Sequence, residues 1–447
     1  MTELTRAIVR RTRPITHADL PGEIRALAGQ CMQDTVGVAL AGADDALVGM
    51  LRAELEEAGG APQAGVWGSA LRLPAGAAAL LNGTMAHALD YDDVNLAMPG
   101  HPSVAVLPAV LALGEARGAS GAEVMAAFVV GYETACRIGR ALAPGHYDVV
   151  GFHATGTVGA FGAAAGCAHL LGLDEEQTLH ALGIAATQAA GLKSMFGTMC
   201  KPLHAGKAAQ NGLLAAKLAA RGFVARTDSL ECIQGFAATH SPDFRPEAAL
   251  AEPAGGWHIR ANLFKYHAAC YLTHAGIEAA RMLRERPGVT AERIAAITLR
   301  VDESTDRVCN IAAPRTGLEA KFSHRLTAAM ALAGLETSRL DSFSAEVAAN
   351  PAIVALRDKV SIELVRHFGQ THAAMDIRLV DQTTLSAEYD AGIPAPDVAH
   401  QGRRIRAKFD GLVAPILGNA RGAALGDALG ALDAAPSVTP LAGMWAA

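Results

Sequence analysis

From Val149 to Leu173 the chain carries no aspartate, glutamate, lysine or arginine. A run of that length has to be shielded from water on nearly every face, by lipid or by the rest of a protein core. Its contents favour the core. His153 and His169 interrupt it, and it is filled with glycine and alanine. A central helix packed by small residues is therefore expected, and no membrane span. The chain has the material to surround such a helix, being 51% hydrophobic and only 18% charged. Much of that apolar content is alanine, which favours closely approaching helices over bulky strand cores. The segment Gly156-Thr-Val-Gly-Ala-Phe-Gly162 lacks the order GxGxxG, and no strand precedes it, so close helix packing accounts for its glycines better than a dinucleotide loop.

Helical spacing continues on both sides of this run. Ala79 to Asp90, Val104 to Arg117, Gly121 to Arg140, Thr155 to Leu171 and Gly206 to Ala220 all read as helices bounded by glycine, proline or polar caps. Near Phe264 the texture changes. Ala295 to Val301, Val360 to Val365 and Ala374 to Val380 read as strands, and Thr383 to Tyr389 returns as a hairpin turned at Asp381-Gln382. Helices at Thr273 to Glu285 and Ser323 to Ala333 lie between them. After Pro394 and Pro396 the pattern is helical again, through Asp397 to Leu417 and Gly422 to Leu432. The expectation is a mainly α protein with an α/β part. A large helical domain (1–263, returning at 397–447) carries a smaller inserted α/β lid domain (264–396), and clefts between such domains are common active-site locations.

Several function classes are disfavoured at this point. The net charge is -6 and no basic stripe stands out, so nucleic acid is not an expected partner. The 7 cysteines are scattered without a CxxC pair, which suits reduced thiols and offers no iron–sulfur spacing of the kind an aconitase-like dehydratase needs. The opening MTELTRAIVRRTRP lacks an apolar signal core, so a cytoplasmic location is expected.

Three aspartates and two histidines fall between His87 and His101: Asp90, Asp92 and Asp93 join them in an otherwise apolar stretch. Three readings are open. The group lines an acid–base pocket, or binds a metal, or Asp92 and Asp93 cap the next segment while His87 is a satisfied core residue. A second candidate is His153, just before the charge-free helix, where the electropositive helix start suits an anion; Tyr147 is near it in sequence as a hydrogen-bond donor. A third is Lys201 with His204, read as a loop leading into a helix and able to meet a carboxylate with two cationic donors. Lys265, His274 and Lys321 repeat the theme further on. Basic groups at loop-to-helix junctions would bind a di- or tri-anion and hold a base near an acidic C–H.

In order along the chain, NGTMAHALDYDD, GHPSVAVLPAVLALGE, GYE, GFHATGTVGAFGAAAGCAHLLG, KPLHAGKAAQNGLLAA, Thr273-His274 and PRTGLEAKFS resemble the MmgE/PrpD family. That family includes 2-methylcitrate dehydratase, cis-aconitate decarboxylase and iminodisuccinate epimerase. The resemblance implies a helical domain with a smaller α/β lid, a homodimer, a site between the domains, and neither metal nor organic cofactor. It maps the family's pocket onto Asp90, His101, His153, Lys201 and His274. Lys201 and His101 would hold substrate carboxylates and the enolate-like charge. His153 and His274 would exchange protons, because imidazole titrates near working pH. Asp90 would orient a ring or act as a base, and Lys265 and Lys321 would be lid-side carboxylate contacts.

Two departures separate this chain from the decarboxylase branch: Val94 stands where a threonine is expected, and Leu326 where a tyrosine is expected. The function implied is a lyase or isomerase that removes an α-proton from a small di- or tricarboxylate, leading to dehydration or epimerisation. A cis-aconitate-type decarboxylase and a non-catalytic polycarboxylate-binding protein are the alternatives.

Overall fold

Residues up to Phe264 and from Ala395 onward form one unit, and Lys265–Pro394 form a second; the computed structural model describes residues 3–446. In the first unit the helices that build the site are α1 (Gly22–Ala41), α2 (Ala75–Ala88), α3 (Pro102–Arg117), α4 (Gly121–Leu142), α5 (Ala154–Leu170), α6 (Cys200–Ala219) and, from the returning chain, α9 (Val398–Leu417). The second unit contributes α7 (His274–Arg284), α8 (His324–Ala333) and strands β1 (Ile294–Asp302), β2 (Val360–Val365), β3 (His372–Leu379) and β4 (Thr384–Asp390). The fold is mainly α with a smaller α/β part, as the periodicities predict.

The charge-free run folds as α5, buried continuously from Ala154 to Ala168. It packs against α3, α4 and α6, which surround it in place of lipid. Its small residues are needed for that. A Cβ on Gly159 would come within 2.6 Å of the Ala105 Cβ, and one on Gly212 of α6 within 2.5 Å of the Ala164 amide nitrogen. The α2–α6 crossing is equally tight, since a Cβ on Gly206 would meet the Leu80 carbonyl at 2.1 Å. Helices this close can be built only from residues without bulk. Among the described residues, no helix is long and apolar enough to cross a membrane.

The sheet of the second unit runs in the order β2-β1-β3-β4. β1 is parallel to β2 and antiparallel to β3, with Leu299 opposite both Ile362 and Met375. β3 and β4 form the expected hairpin, turning where Gln382 adopts φ 71°. Helix α7 packs on β3 and β4 and against α8.

One boundary differs from the sequence reading in a way that matters. Lys201 to His204 do not form a loop; α6 begins at Cys200 and includes them. Pro202 sits in the first turn, where a missing N–H costs nothing and the fixed φ suits a helix.

Candidate functional site

The site in the helical unit begins where α2 stops. After Ala88 the chain passes Leu89 and turns at Asp90, whose φ of 50° is left-handed. Aspartate tolerates that conformation better than most residues. The segment that follows is anchored from several sides. Lys408 of α9 donates to the Tyr91 carbonyl at 2.7 Å, lies 3.8 Å from the Tyr91 ring centroid, and pairs with Asp34 of α1 at 2.6 Å. Val94 exchanges backbone hydrogen bonds with Leu263, both at 2.8 Å. Ser103 Oγ donates to Asp93 at 2.6 Å.

Two helix starts bring in imidazoles. His101 is the N-cap residue of α3 and His153 that of α5, and neither uses its side chain as a cap. His101 Nδ1 lies 2.8 Å from Asp92 Oδ2 and 2.7 Å from the Asp93 carbonyl, while its Nε2 faces Asp90 Oδ1 at 3.9 Å. The His101 amide donates to Thr155 Oγ1 at 3.1 Å, which ties the two helix starts together. His153 stacks on His87 with ring centroids 5.7 Å apart, and its Nδ1 is 3.1 Å from His204 Nδ1. From the first turn of α6, Lys201 Nζ donates to Asp90 Oδ1 at 2.6 Å. Phe196 closes one side, 4.9 Å from the His153 ring and 5.4 Å from the lysine nitrogen.

The structure therefore brings Asp90, His101, His153, Lys201 and His204 together. Tyr147 lies in a π-helical turn, Gly145–Val150, with Lys193 Nζ 3.6 Å from its ring centroid. In the α/β unit, His274 opens α7 and is buried, with its ring 4.9 Å from those of His267 and Tyr271. Lys265 is also buried there, close enough for its charge to act on His274. The Lys321 carbonyl accepts from the Cys270 amide at 3.0 Å.

Burial decides the protonation of these groups. It pushes His153 well below the usual imidazole value, helped by His87, Lys201 and their neighbours. His274 is held well below for the same reason, with His267 and Lys265 adding to it. His204 is lowered by burial and then by Lys201. The sequence reading had His153 and His274 titrating near working pH; burial instead keeps both neutral. Asp93 moves the other way, raised to about 7 by burial and by Asp34.

His87 and Asp92 belong to the site although the sequence offered a bland alternative for each. Asp92 caps no helix among the described residues: both its oxygens lie 3.0 Å from His87 Nδ1. His87 is not a satisfied core residue, because its buried Nε2 has no hydrogen-bond partner among the described residues. His87, Asp92 and His101 offer ligand atoms within 4.8 Å of one another, so a metal ion would find three donors here.

Comparison with known proteins bears on this arrangement. The MmgE/PrpD N-terminal domain matches residues 7–249, and the MmgE/PrpD C-terminal domain matches residues 267–430. A cis-aconitate decarboxylase of Aspergillus terreus is 35% identical over 223 residues, covering 47% of this chain and 46% of that protein. The chain thus spans about half the length of this fungal relative. The cis-aconitate decarboxylases of Mus musculus and Homo sapiens are each 31% identical, over 73% of this chain and 69% and 70% of their own lengths.

Proposed function

The chain belongs to the MmgE/PrpD family, and from that premise we propose that it is an enzyme acting on a small di- or tricarboxylate. Its reaction is removal of a proton from the carbon next to a carboxylate, completed as dehydration or as epimerisation. The observation that carries this reading is the meeting of Lys201 and the helix-start ring of His101 at Asp90, with the second helix-start ring, His153, sharing Phe196 with the lysine. Lys201 and the electropositive starts of α3 and α5 suit a carboxylate. A substrate carboxylate that reaches Lys201 competes with Asp90 for it, and releases Asp90 towards His101.

His153, neutral by burial, is suited to accept a proton but has none to give first. His101, with a carboxylate facing each ring nitrogen, is the better donor. The lysine would also stabilise the enolate-like charge that develops. We assign Lys265, Lys321 and His274 to carboxylate contact and proton transfer from the family resemblance. A homodimer and turnover without metal or organic cofactor are part of the same proposal.

A second reading is favoured by the relatives just described, which carry the name cis-aconitate decarboxylase. It shares the electron-rich carbon beside a carboxylate but reaches it by loss of carbon dioxide. Against it stand Val94 and Leu326, both buried and both apolar where a threonine and a tyrosine are expected.

Proton NMR of the chelator-treated protein in heavy water tests the proposal, with 2-methylcitrate, citrate, cis-aconitate, iminodisuccinate and simple hydroxy diacids as substrates. Deuterium entering an α-position is the expected result, and accompanying loss of water separates dehydratase from epimerase. Release of carbon dioxide from cis-aconitate would install the second reading. Binding of the same acids without exchange by folded protein would replace both with a polycarboxylate-binding role.

A further inference from the structure

Asp92 plays no part in the proton transfers above, yet it is fully enclosed. Its side chain is 0% exposed, and its ion-pair partners among the described residues are two imidazoles, with no lysine or arginine. Withdrawing a carboxylate this far from water costs several kcal/mol, so its hydrogen bonds have to be strong ones. Burial alone would raise its pKa, but His101 Nδ1 at 2.8 Å from Oδ2 and His87 Nδ1 at 3.0 Å from both oxygens outweigh that and hold the carboxyl well below the usual range. An ionised carboxylate only accepts. The hydrogen in each bond therefore belongs to the imidazole.

Two consequences follow for the rings. With Nδ1 protonated, His87 and His101 each turn Nε2 away from Asp92. For His101 that nitrogen faces Asp90, the partner of Lys201. His87 is kept neutral, with burial bringing its pKa down to about 4, so its Nε2 carries a lone pair. Its ring lies edge-on to His101 at 4.6 Å and stacks with His153 at 5.7 Å. His87 is thus the wedge between the two rings at the helix starts, and Asp92 holds the wedge.

We infer that Asp92 is a positioning residue: one buried carboxylate that holds Nδ1–H of His101 together with the Asp93 carbonyl, holds Nδ1–H of His87 by itself, and sets His153 through the packed ring of His87. The inference deepens the proposed function and rests on it for its catalytic meaning. Its structural content stands alone, because a clamp and a metal site make opposite demands on the same atoms. The clamp needs a proton on each Nδ1, whereas an ion that took either Nδ1 as a ligand would need a lone pair there.

The test uses the full-length protein labelled with nitrogen-15 in histidine. Long-range proton–nitrogen spectra near neutral pH report the tautomer of each ring, with His87→Gln and His101→Gln assigning the signals. Wild type is expected to show both rings protonated at Nδ1, with the His87 Nε2 unprotonated. Asp92→Asn puts an NH2 group, which donates and cannot accept, in place of one of the two oxygens that face His87 Nδ1, and is expected to lose that pattern at His87. In the same variant kcat should fall about 100-fold with KM changed less than about threefold. An unprotonated Nδ1 in wild type would sink the clamp even if the variant failed to fold. So would stoichiometric uptake of Zn2+ or Mn2+ by wild type but not by Asp92→Asn, or a loss of kcat that only follows the folded fraction. Intact tautomers without turnover of any acid tested would leave the clamp standing and count against the proposed reaction.

Discussion

The two units hold their histidines in different ways. In the helical unit His87 and His101 both point Nδ1 at a carboxylate, so the nitrogen offered elsewhere is Nε2. In the α/β unit His274 points Nε2 at the Ala269 carbonyl, 3.3 Å away, which leaves the lone pair of the neutral ring on Nδ1. Its neighbour His267 is engaged at both nitrogens, Nδ1 with Thr337 at 2.8 Å and Nε2 with Glu278 at 3.2 Å. A ring bonded on both sides is a strut, and a ring bonded on one side can exchange a proton. Helix-start position is shared by His101, His153 and His274; under the proposed function, what separates a ring that exchanges a proton from a supporting one is whether the fold has bonded one nitrogen or both.

The comparison breaks most visibly in kinetics. His153→Ala should lower kcat by about 10²- to 10⁴-fold, the range for loss of a general acid or base, with the folded fraction unchanged. Lys201→Ala should instead act mainly on KM, because it removes a carboxylate contact. His267→Ala is expected to lower the melting temperature more than it lowers kcat. If steady-state kinetics and thermal unfolding gave His153→Ala and His267→Ala the same profile, hydrogen bonding at both nitrogens would not mark a strut.

A second contrast concerns what holds the Asp90 turn. Lys408 is a buried cation that pairs with Asp34 and carries the Tyr91 carbonyl. Lys408→Met would keep the bulk of the side chain but leave Asp34 buried without that cation, a loss of about 3–5 kcal/mol. Urea unfolding should show it, and adding Asp34→Asn should return part of the stability. A double variant no more stable than the single one would mean that Lys408 acts through Tyr91 rather than through the charge.

Much of this fold is readable from residue spacing, because its helices are long and its glycines fall where backbones touch. The charge-free run could be little other than a buried helix once His153 and His169 argued against lipid. Asp90, His101, His153 and Lys201 are legible for a related reason: charges are rare in so apolar a chain, and motif order identifies them. His87 and Asp92 are harder. They sit at i and i+5 across a helix end, and nothing in that spacing says that the chain turns left-handed at Asp90. Without the turn, Asp92 reads as a cap. The first turn of α6 was missed because Pro202 looks like a breaker when it is a helix start. The neutral state of His153 depends on burial by α6 and Phe196, which are remote in sequence.

Asp93 offers the subtlest test. Its carboxyl faces Asp34 and Cys31 from α1, Ser103 from α3, Tyr132 and Cys136 from α4, and Asp92 beside it. Burial first, and Asp34 second, raise its pKa to about 7 from 3.8. The folded state therefore binds this proton more tightly than the unfolded chain does, and the stability it contributes is complete below the unfolded value. That stability is lost as pH rises through about 7, since the slope is negative wherever the native state holds more protons. Asp93→Asn keeps an oxygen to accept from Ser103 but cannot ionise. Its stability should fall less than wild type's between about pH 5 and pH 8, by an amount on the order of 1–3 kcal/mol after the protein relaxes around the charge. Parallel curves for the two proteins would mean that Asp93 is ionised throughout, and that the cation on Lys408 reaches past Asp34 to stabilise it.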